Sequence, residues 1–267
     1  VRRLLRRRAP GDPTVVLESP RIISEALTAG IAPSLLVTTD SALSSPQVSE
    51  ILQRTLPDNA SNSDRDGSKA SEVLVVTEQA FRSLAPSVNP QPLLALMGRP
   101  QAAMPAVLDA DDLVLVLVGV TDPGNTGTII RAAEACDARC VVVAGGADPW
   151  APKAVRASAG SILRVPVVQT SATSTTSEAA AAALEQLRSA GAVIVAADAH
   201  KGEDYNSGVL AEARGPVALV LGSESHGLAA GLPADQRVRI PLAGNTESLN
   251  VAMAATLLAF EYRRKHA

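Results

Sequence analysis

Ile240-Pro241-Leu242-Ala243-Gly244-Asn245-Thr246-Glu247-Ser248-Leu249-Asn250-Val251, followed by an Ala/Leu/Met-rich run to Arg264, reads as a strand end, a polar turn and a helix start. A turn that opens a helix presents free backbone N–H groups. Asn245, Thr246, Ser248 and Asn250 set short polar side chains beside them. The same residue types are ordinary helix caps, so the stretch by itself is equally a capped helix after a loop. Two further segments have the same form. Val114 to Gly119 leads to Asp122-Pro123-Gly124-Asn125-Thr126-Gly127, and Val217 to Leu221 leads to Gly222-Ser223-Glu224-Ser225-His226-Gly227. Three such turns in one α/β domain are expected to converge at the C-terminal edge of a parallel sheet, where ligands usually bind.

The 267 residues and 46% hydrophobic content allow a full core, and the length suits two domains. Aromatic residues make up only 2%, with Trp150 the one Trp, so the core must be Val, Leu, Ile and Ala. That composition fits strands buried on both faces between helices, hence α/β. The formal net charge of -3 excludes a surface coated in positive charge, so nucleic-acid binding must rely on a local patch. Arg2, Arg3, Arg6, Arg7 and Arg8 form one candidate, equally read as a solvated terminus. Cys136 and Cys140 lack a second pair to complete a zinc site and read as buried apolar residues. His200, His226 and His266 are scattered, so no metal is expected. No apolar run reaches the ~18 residues of a membrane span, and the basic start lacks a signal-peptide core. A cytoplasmic protein without a membrane partner is expected.

Along the chain, strands are expected at Val15 to Leu17, Leu35 to Thr38, Val73 to Thr77 and Leu93 to Met97. Helices are expected at Pro20 to Ala29, Pro46 to Thr55 and Glu78 to Leu84, with Pro57 to Ser71 an exposed loop. This makes residues 1–97 a compact α/β unit. Residues 98–111, with Gly98, Pro100 and Pro105, read as an extended linker. Residues 112–267 alternate strands (Leu113 to Gly119, Val141 to Ala144, Val165 to Val168, Val193 to Ala196, Val217 to Leu221, Val238 to Ile240) with helices near 126–137, 151–159, 177–190 and 247–264. The run from Thr170 to Ala183 reads as loop entering helix. Such alternation predicts a parallel sheet covered by helices. The dinucleotide fingerprint and the phosphate-loop pattern are both absent.

The three turn segments resemble the three motifs of the SpoU (TrmH-like) family of RNA ribose 2'-O-methyltransferases, within the SPOUT class. The first matches as Asn125-Thr126-Gly127-Thr128-Ile129-Ile130-Arg131, the second as Leu221-Gly222-Ser223-Glu224, and the third as Ile240-Pro241 with Ser248-Leu249-Asn250-Val251. The resemblance implies a C-terminal SPOUT domain with a trefoil knot that holds S-adenosylmethionine, needs no metal, and forms a homodimer through this domain. Residues 251–260, apolar nearly all round, permit that pairing. Val15-Val16-Leu17-Glu18-Ser19-Pro20-Arg21 and the helix after it are similar to the family's N-terminal RNA-binding domain, which is L30e-like. There Arg21 is a candidate RNA contact or an ordinary surface residue.

By the same resemblance Arg131, Asn125, Glu224, Ser248 and Asn250 form the catalytic set. A guanidinium makes a poor base, so Arg131 is expected to hold a phosphate and oppose charge on the 2'-oxygen. Gly222, Ile240, Leu242, Leu249 and Asn250 form the cofactor-binding set, with Ile240 and Leu249 equally plain core residues. Lys153 and Arg156, on the helix before Ser158-Ala159-Gly160, join Arg131 and Arg21 as RNA contacts, or are solvated surface charges. His226 departs from the family pattern, which more often has a small residue there. The implied activity is methyl transfer to structured RNA, with 23S ribosomal RNA favoured by the separate N-terminal domain. The alternatives are a transfer-RNA target and an RNA-binding or ribosome-assembly protein that has lost catalysis.

Overall fold

The computed structural model describes residues 12–56, 71–85, 87–170, 174–223 and 232–266. The chain divides into two compact units, Val1–Pro100 and Gln101–Ala267. The first contains β1 (Thr14–Glu18), α1 (Pro20–Thr28), β2 (Pro33–Thr39), a 3-10 turn (Ser41–Ser44), α2 (Pro46–Thr55), β3 (Glu72–Val76), α3 (Glu78–Leu84) and β4 (Leu93–Gly98). Its sheet runs β1-β4-β2-β3. β4 is antiparallel to both neighbours, and β2 is parallel to β3. Pro20 and Pro46 open α1 and α2, where a missing N–H costs nothing. Alternation along the strands puts Leu36 and Met97 on the face packed by α1, while Val37 and Leu94 meet Phe81 of α3 on the other. The sheet is therefore covered on both sides.

The second unit contains β5 (Leu113–Val118), α4 (Pro123–Ala135), β6 (Cys140–Ala144), α5 (Pro152–Ala157), a 3-10 turn (Ser161–Leu163), β7 (Val167–Gln169) and α6 (Thr176–Ser189). It continues through β8 (Val193–Ala197), β9 (Glu203–Asp204), β10 (Val217–Leu221), β11 (Gln236–Arg239) and α7 (Val251–His266). The sheet order is β7-β6-β5-β10-β8-β11-β9, and every pairing is parallel. Each residue of β5, β6 and β10 is buried, which explains why these strands are unbroken apolar runs rather than alternating ones. Val114, Val116 and Val118 pack with Ala180, Ala183, Leu184 and Leu187 of α6 on one face. On the other face α4 packs on β6, and α7 packs on β5 and β10. A capping box between Thr175 and Glu178 starts α6.

Three expectations shift in detail. The helix expected over 247–264 begins only at Val251, because the Asn250 carboxamide oxygen takes the N–H groups of Ala252 and Met253 at 2.9 and 3.3 Å. The strand expected from Val165 begins at Val167, after the 3-10 turn and Pro166. Within 98–111, read as a linker, there is no helix or strand after Gly98 among the described residues. Ala102, Met104 and Leu108 nonetheless pack against the α6-side core of the second unit.

α7 is tied to α4 at its far end as well. Arg263 donates from Nε to the Cys136 carbonyl at 2.7 Å and from Nη2 to the Asp137 carbonyl at 2.6 Å. These carbonyls lie just past the end of α4, where a cation is favoured. Where α4 crosses α5, a methyl group on Gly127 would sit 2.2 Å from the Ala154 carbonyl oxygen and 2.7 Å from the Ala157 Cβ. Overpacking of this kind costs roughly 1–3 kcal/mol. Gly127→Ala is expected to lower the melting temperature by several degrees in scanning calorimetry, about 2–4 °C per kcal/mol for a unit of this size. Gly98→Ala, where a methyl group meets nothing within 4 Å, is expected to leave it unchanged.

Candidate active site

The first turn motif is built around Asp122, which caps α4. Its Oδ1 accepts the Asn125 N–H at 3.0 Å, and its Oδ2 receives Lys153 Nζ at 2.6 Å. The lysine contact, and then the Asn125 N–H, hold the Asp122 carboxyl below the usual carboxylate range. A depressed value means the cap is fully charged above the ordinary carboxylate range and fails only as pH falls through the lowered one.

The third motif meets the first through a side-chain hydrogen bond. Asn250 Nδ2 donates to Asn125 Oδ1 at 3.1 Å, across 125 residues of sequence. Asn250 thus caps α7 with its oxygen while reaching the start of α4 with its nitrogen.

Beside this junction lies a cavity of about 490 Å³, at the C-terminal ends of β8, β10 and β11. Leu221, Val238, Ile240, Leu242, Leu249 and Leu258 supply apolar wall, and Asp198, His200, Lys201, Ser223, Glu247 and Ser248 supply polar groups. Apolar walls with a few polar groups of this kind suit a small-molecule ligand. β10 lies between β5 and β8, so the sheet reverses its order of growth beside the cavity, the place where open parallel sheets bind ligands.

The expected residues divide clearly. Gly222, Ile240, Leu242, Leu249 and Ser248 line the cavity. Asn125 and Asn250 form the junction next to it, and Asn250 is not part of the lining. Arg131 lies about 9 Å further along α4 at ~1.5 Å per residue, on an exposed stripe with Thr128 and Ala135. Among the described residues the side chains of Arg131 and Arg156 make no hydrogen bond or ion pair. Lys153 is engaged with Asp122, and Arg21, in the first unit, lies 3.4 Å from Glu25 with its side chain 84% exposed. Glu224 and His226 lie outside the described residues, as do the five arginines of the first eight positions and most of the expected loop before Ser71.

The wall after β8 was not anticipated. Asp198 Oδ1 accepts the N–H groups of His200 and Lys201 at 2.9 and 3.0 Å, and Arg237 Nη1 reaches its Oδ2 at 3.3 Å. Partial burial raises the Asp198 carboxyl, yet the two N–H groups and Arg237 outweigh it and the net shift is downward. Gly202 closes the turn at φ +109, with the Arg237 carbonyl oxygen 2.4 Å from where a Cβ would stand. The available signal was the form of the segment: a buried strand followed by Asp-Ala-His-Lys-Gly, as in the other three turns.

No group of three or more His, Cys, Asp or Glu among the described residues is placed to hold a metal ion. No helix there is long and apolar enough to cross a membrane.

Comparison with known proteins places these features in context. The family described as the SpoU rRNA Methylase family matches residues 112–260. A 23S rRNA (guanosine(2553)-2'-O)-methyltransferase from Bacillus subtilis is 31% identical over 192 residues, 71% of each chain. A 23S rRNA (uridine(2479)-2'-O)-methyltransferase from Streptomyces viridochromogenes is 35% identical over 193 residues, 65% of each chain and so less than two thirds of that relative. Among solved structures, an AdoMet-bound rRNA methyltransferase from Sinorhizobium meliloti superposes with a TM-score of 0.81 at 28% identity, covering 98% of this chain and 92% of that one. AviRb from Streptomyces viridochromogenes, in complex with AdoMet, gives 0.80 at 27% identity, covering 99% and 95%.

Cys136 and Cys140 are buried, and burial pushes their thiols up to about 11 and about 12. At pH 8 roughly one in a thousand or fewer would be thiolate. A disulfide reagent that reports free thiols is therefore expected to label neither cysteine in the folded protein at pH 8 and both after unfolding.

Proposed function

The chain belongs to the SpoU rRNA methylase family, and from that premise we propose that it transfers a methyl group from S-adenosylmethionine to a ribose 2'-hydroxyl of structured RNA, with 23S ribosomal RNA as the substrate. The observation that carries this reading is the cavity itself: second- and third-motif residues line it, and the Asn125–Asn250 bond brings the first motif to its edge. Relatives that act on 23S rRNA and solved neighbours that hold AdoMet support the substrate and the cofactor. Ribosomal RNA as substrate puts the work in the cytoplasm.

Gly222, Ile240, Leu242 and Leu249 would hold the adenosine part, since they combine apolar wall with backbone of irregular segments that is free to pair. When bound, S-adenosylmethionine supplies a methyl group on a positively charged sulfur. Forming the new C–O bond at the ribose breaks the C–S bond and releases one proton from the 2'-oxygen, so the protein's task is alignment and charge control. Ser248, which lines the cavity, would orient the ribose. Arg131, exposed on α4, holds an RNA phosphate and opposes the charge that develops on the 2'-oxygen. Glu224 completes the catalytic set by resemblance.

The reading extends to the rest of the molecule. The first unit, a mixed four-stranded sheet with helices on both faces, is the L30e-like RNA-binding domain with Arg21 as its candidate phosphate contact, and Arg131 and Arg156 are the candidate phosphate contacts of the second unit. The return of α7 onto α4, β5 and β10 after β11 supports the trefoil knot. Met253, Leu257 and Phe260 stand one or two turns apart along α7 with 66, 37 and 46% of their surface exposed. An apolar stripe of this kind supports a homodimer through the second unit.

Calorimetric titration of S-adenosylmethionine into the full chain tests the cofactor. Saturable binding is expected, weakened at least about tenfold, or 1.4 kcal/mol, by Gly222→Val. No binding at millimolar cofactor by the folded protein would overturn the enzyme reading. Sedimentation is expected to show a dimer that Met253→Glu with Leu257→Glu converts to monomer.

A further inference from the structure

Lys153, which the sequence offers as an RNA contact or a solvated surface charge, is paired with Asp122 in the structure. Its Nζ meets Asp122 Oδ2 at 2.6 Å, with 59 and 40% of the two side chains exposed. An ion pair this open adds little stability, so its interest lies in where it points. Both Asp122 oxygens are engaged, one by Lys153 and one by the Asn125 N–H. A methyl group on Gly124 would stand 2.7 Å from Asp122 Oδ1 and 3.2 Å from Lys153 Cε, so the lysine stem crosses directly over the helix start.

From Asn125 the line continues. Its Oδ1 accepts Asn250 Nδ2, and Asn250 Oδ1 accepts the first N–H groups of α7. A carboxamide has one oxygen and one NH₂, so Asn250, with its oxygen given to α7, must offer nitrogen to Asn125. Just before Asn250 lie Ser248 and Leu249, and just after it Val251 and Ala254, all on the cavity wall. We propose that Lys153 and Asp122 are positioning residues that act through Asn125 on Asn250, setting the start of α7 and with it one wall of the cavity. Lys153 is thereby a structural partner of the first motif rather than a phosphate contact.

The inference rests on the preceding reading only in taking the cavity as the methyl-donor site, and its test separates the two. The full chain is labelled with ¹⁵N, and the Asn250 side-chain amide resonances are followed without cofactor. S-Adenosylmethionine affinity is then measured by calorimetry. Lys153→Met is expected to shift the Asn250 resonances and to weaken binding by about threefold to tenfold, within the range of a net hydrogen bond. Lys153→Arg is expected to restore both, and Asp122→Asn, which keeps an acceptor but loses the charge, to repeat the Lys153→Met effect. On an Asn125→Ala background Lys153→Met is expected to cost nothing further. Unmoved Asn250 resonances in Lys153→Met, or the same loss of affinity on the Asn125→Ala background, would overturn the proposal. Should the unaltered protein not bind the cofactor, the donor-site reading falls, and the resonances alone decide whether the positioning line exists.

Discussion

A single carboxamide, that of Asn250, caps one helix and ties it to the start of another. Its oxygen closes the first turn of α7, and its nitrogen reaches the oxygen of Asn125 at the first turn of α4. Helix N-termini carry unpaired N–H groups that need partners, and most are served by a cap from their own chain segment. Here the cap of one helix is also the tether to another. The polar turn 241–250, which has no regular structure, is therefore fixed at its end by α4 and at its beginning by β11. Without that double anchorage the residues that line the cavity would belong to a loose loop.

Much of this was legible in the residues. Strands buried on both faces must be apolar throughout, so β5, β6, β8 and β10 stood out as Val/Leu/Ile/Ala runs. Gly222, Ile240, Leu242 and Leu249, picked out by resemblance to the family motifs, all line the cavity. The start of α7 was not legible, since Thr246, Ser248 and Asn250 are all good caps and only the contact with Asn125 selects one. The pairing of Lys153 with Asp122 was hidden for a related reason: a half-exposed lysine on a short helix gives no local sign of a carboxylate partner 31 residues earlier. The wall at Asp198 to Gly202 was passed over because its turn lies between elements that pattern reasoning treats as filler, while its constraint, the Arg237 backbone, comes from a later strand.

Asp198 and Asp122 are each committed to backbone N–H and a cation, so both shape the backbone, and Asp198 lines the cavity as well. Arg131 has no such commitment and stands outside the slot, on the exposed face of α4. In a chain with an overall negative charge, an uncommitted cation of this kind is a local exception.

α7 is fastened to α4 at both extremities, by Asn250 at the front and by the Arg263 guanidinium on the carbonyls of Cys136 and Asp137 at the back. Two rods joined at both ends cannot rotate or slide against each other without breaking a bond at one of them. α7, whose Val251, Ala254 and Leu258 line the cavity, is thereby a wall held from both ends. The turn after β8, which also lines the cavity, is held in another way, by Asp198 through the His200 and Lys201 N–H groups and Arg237.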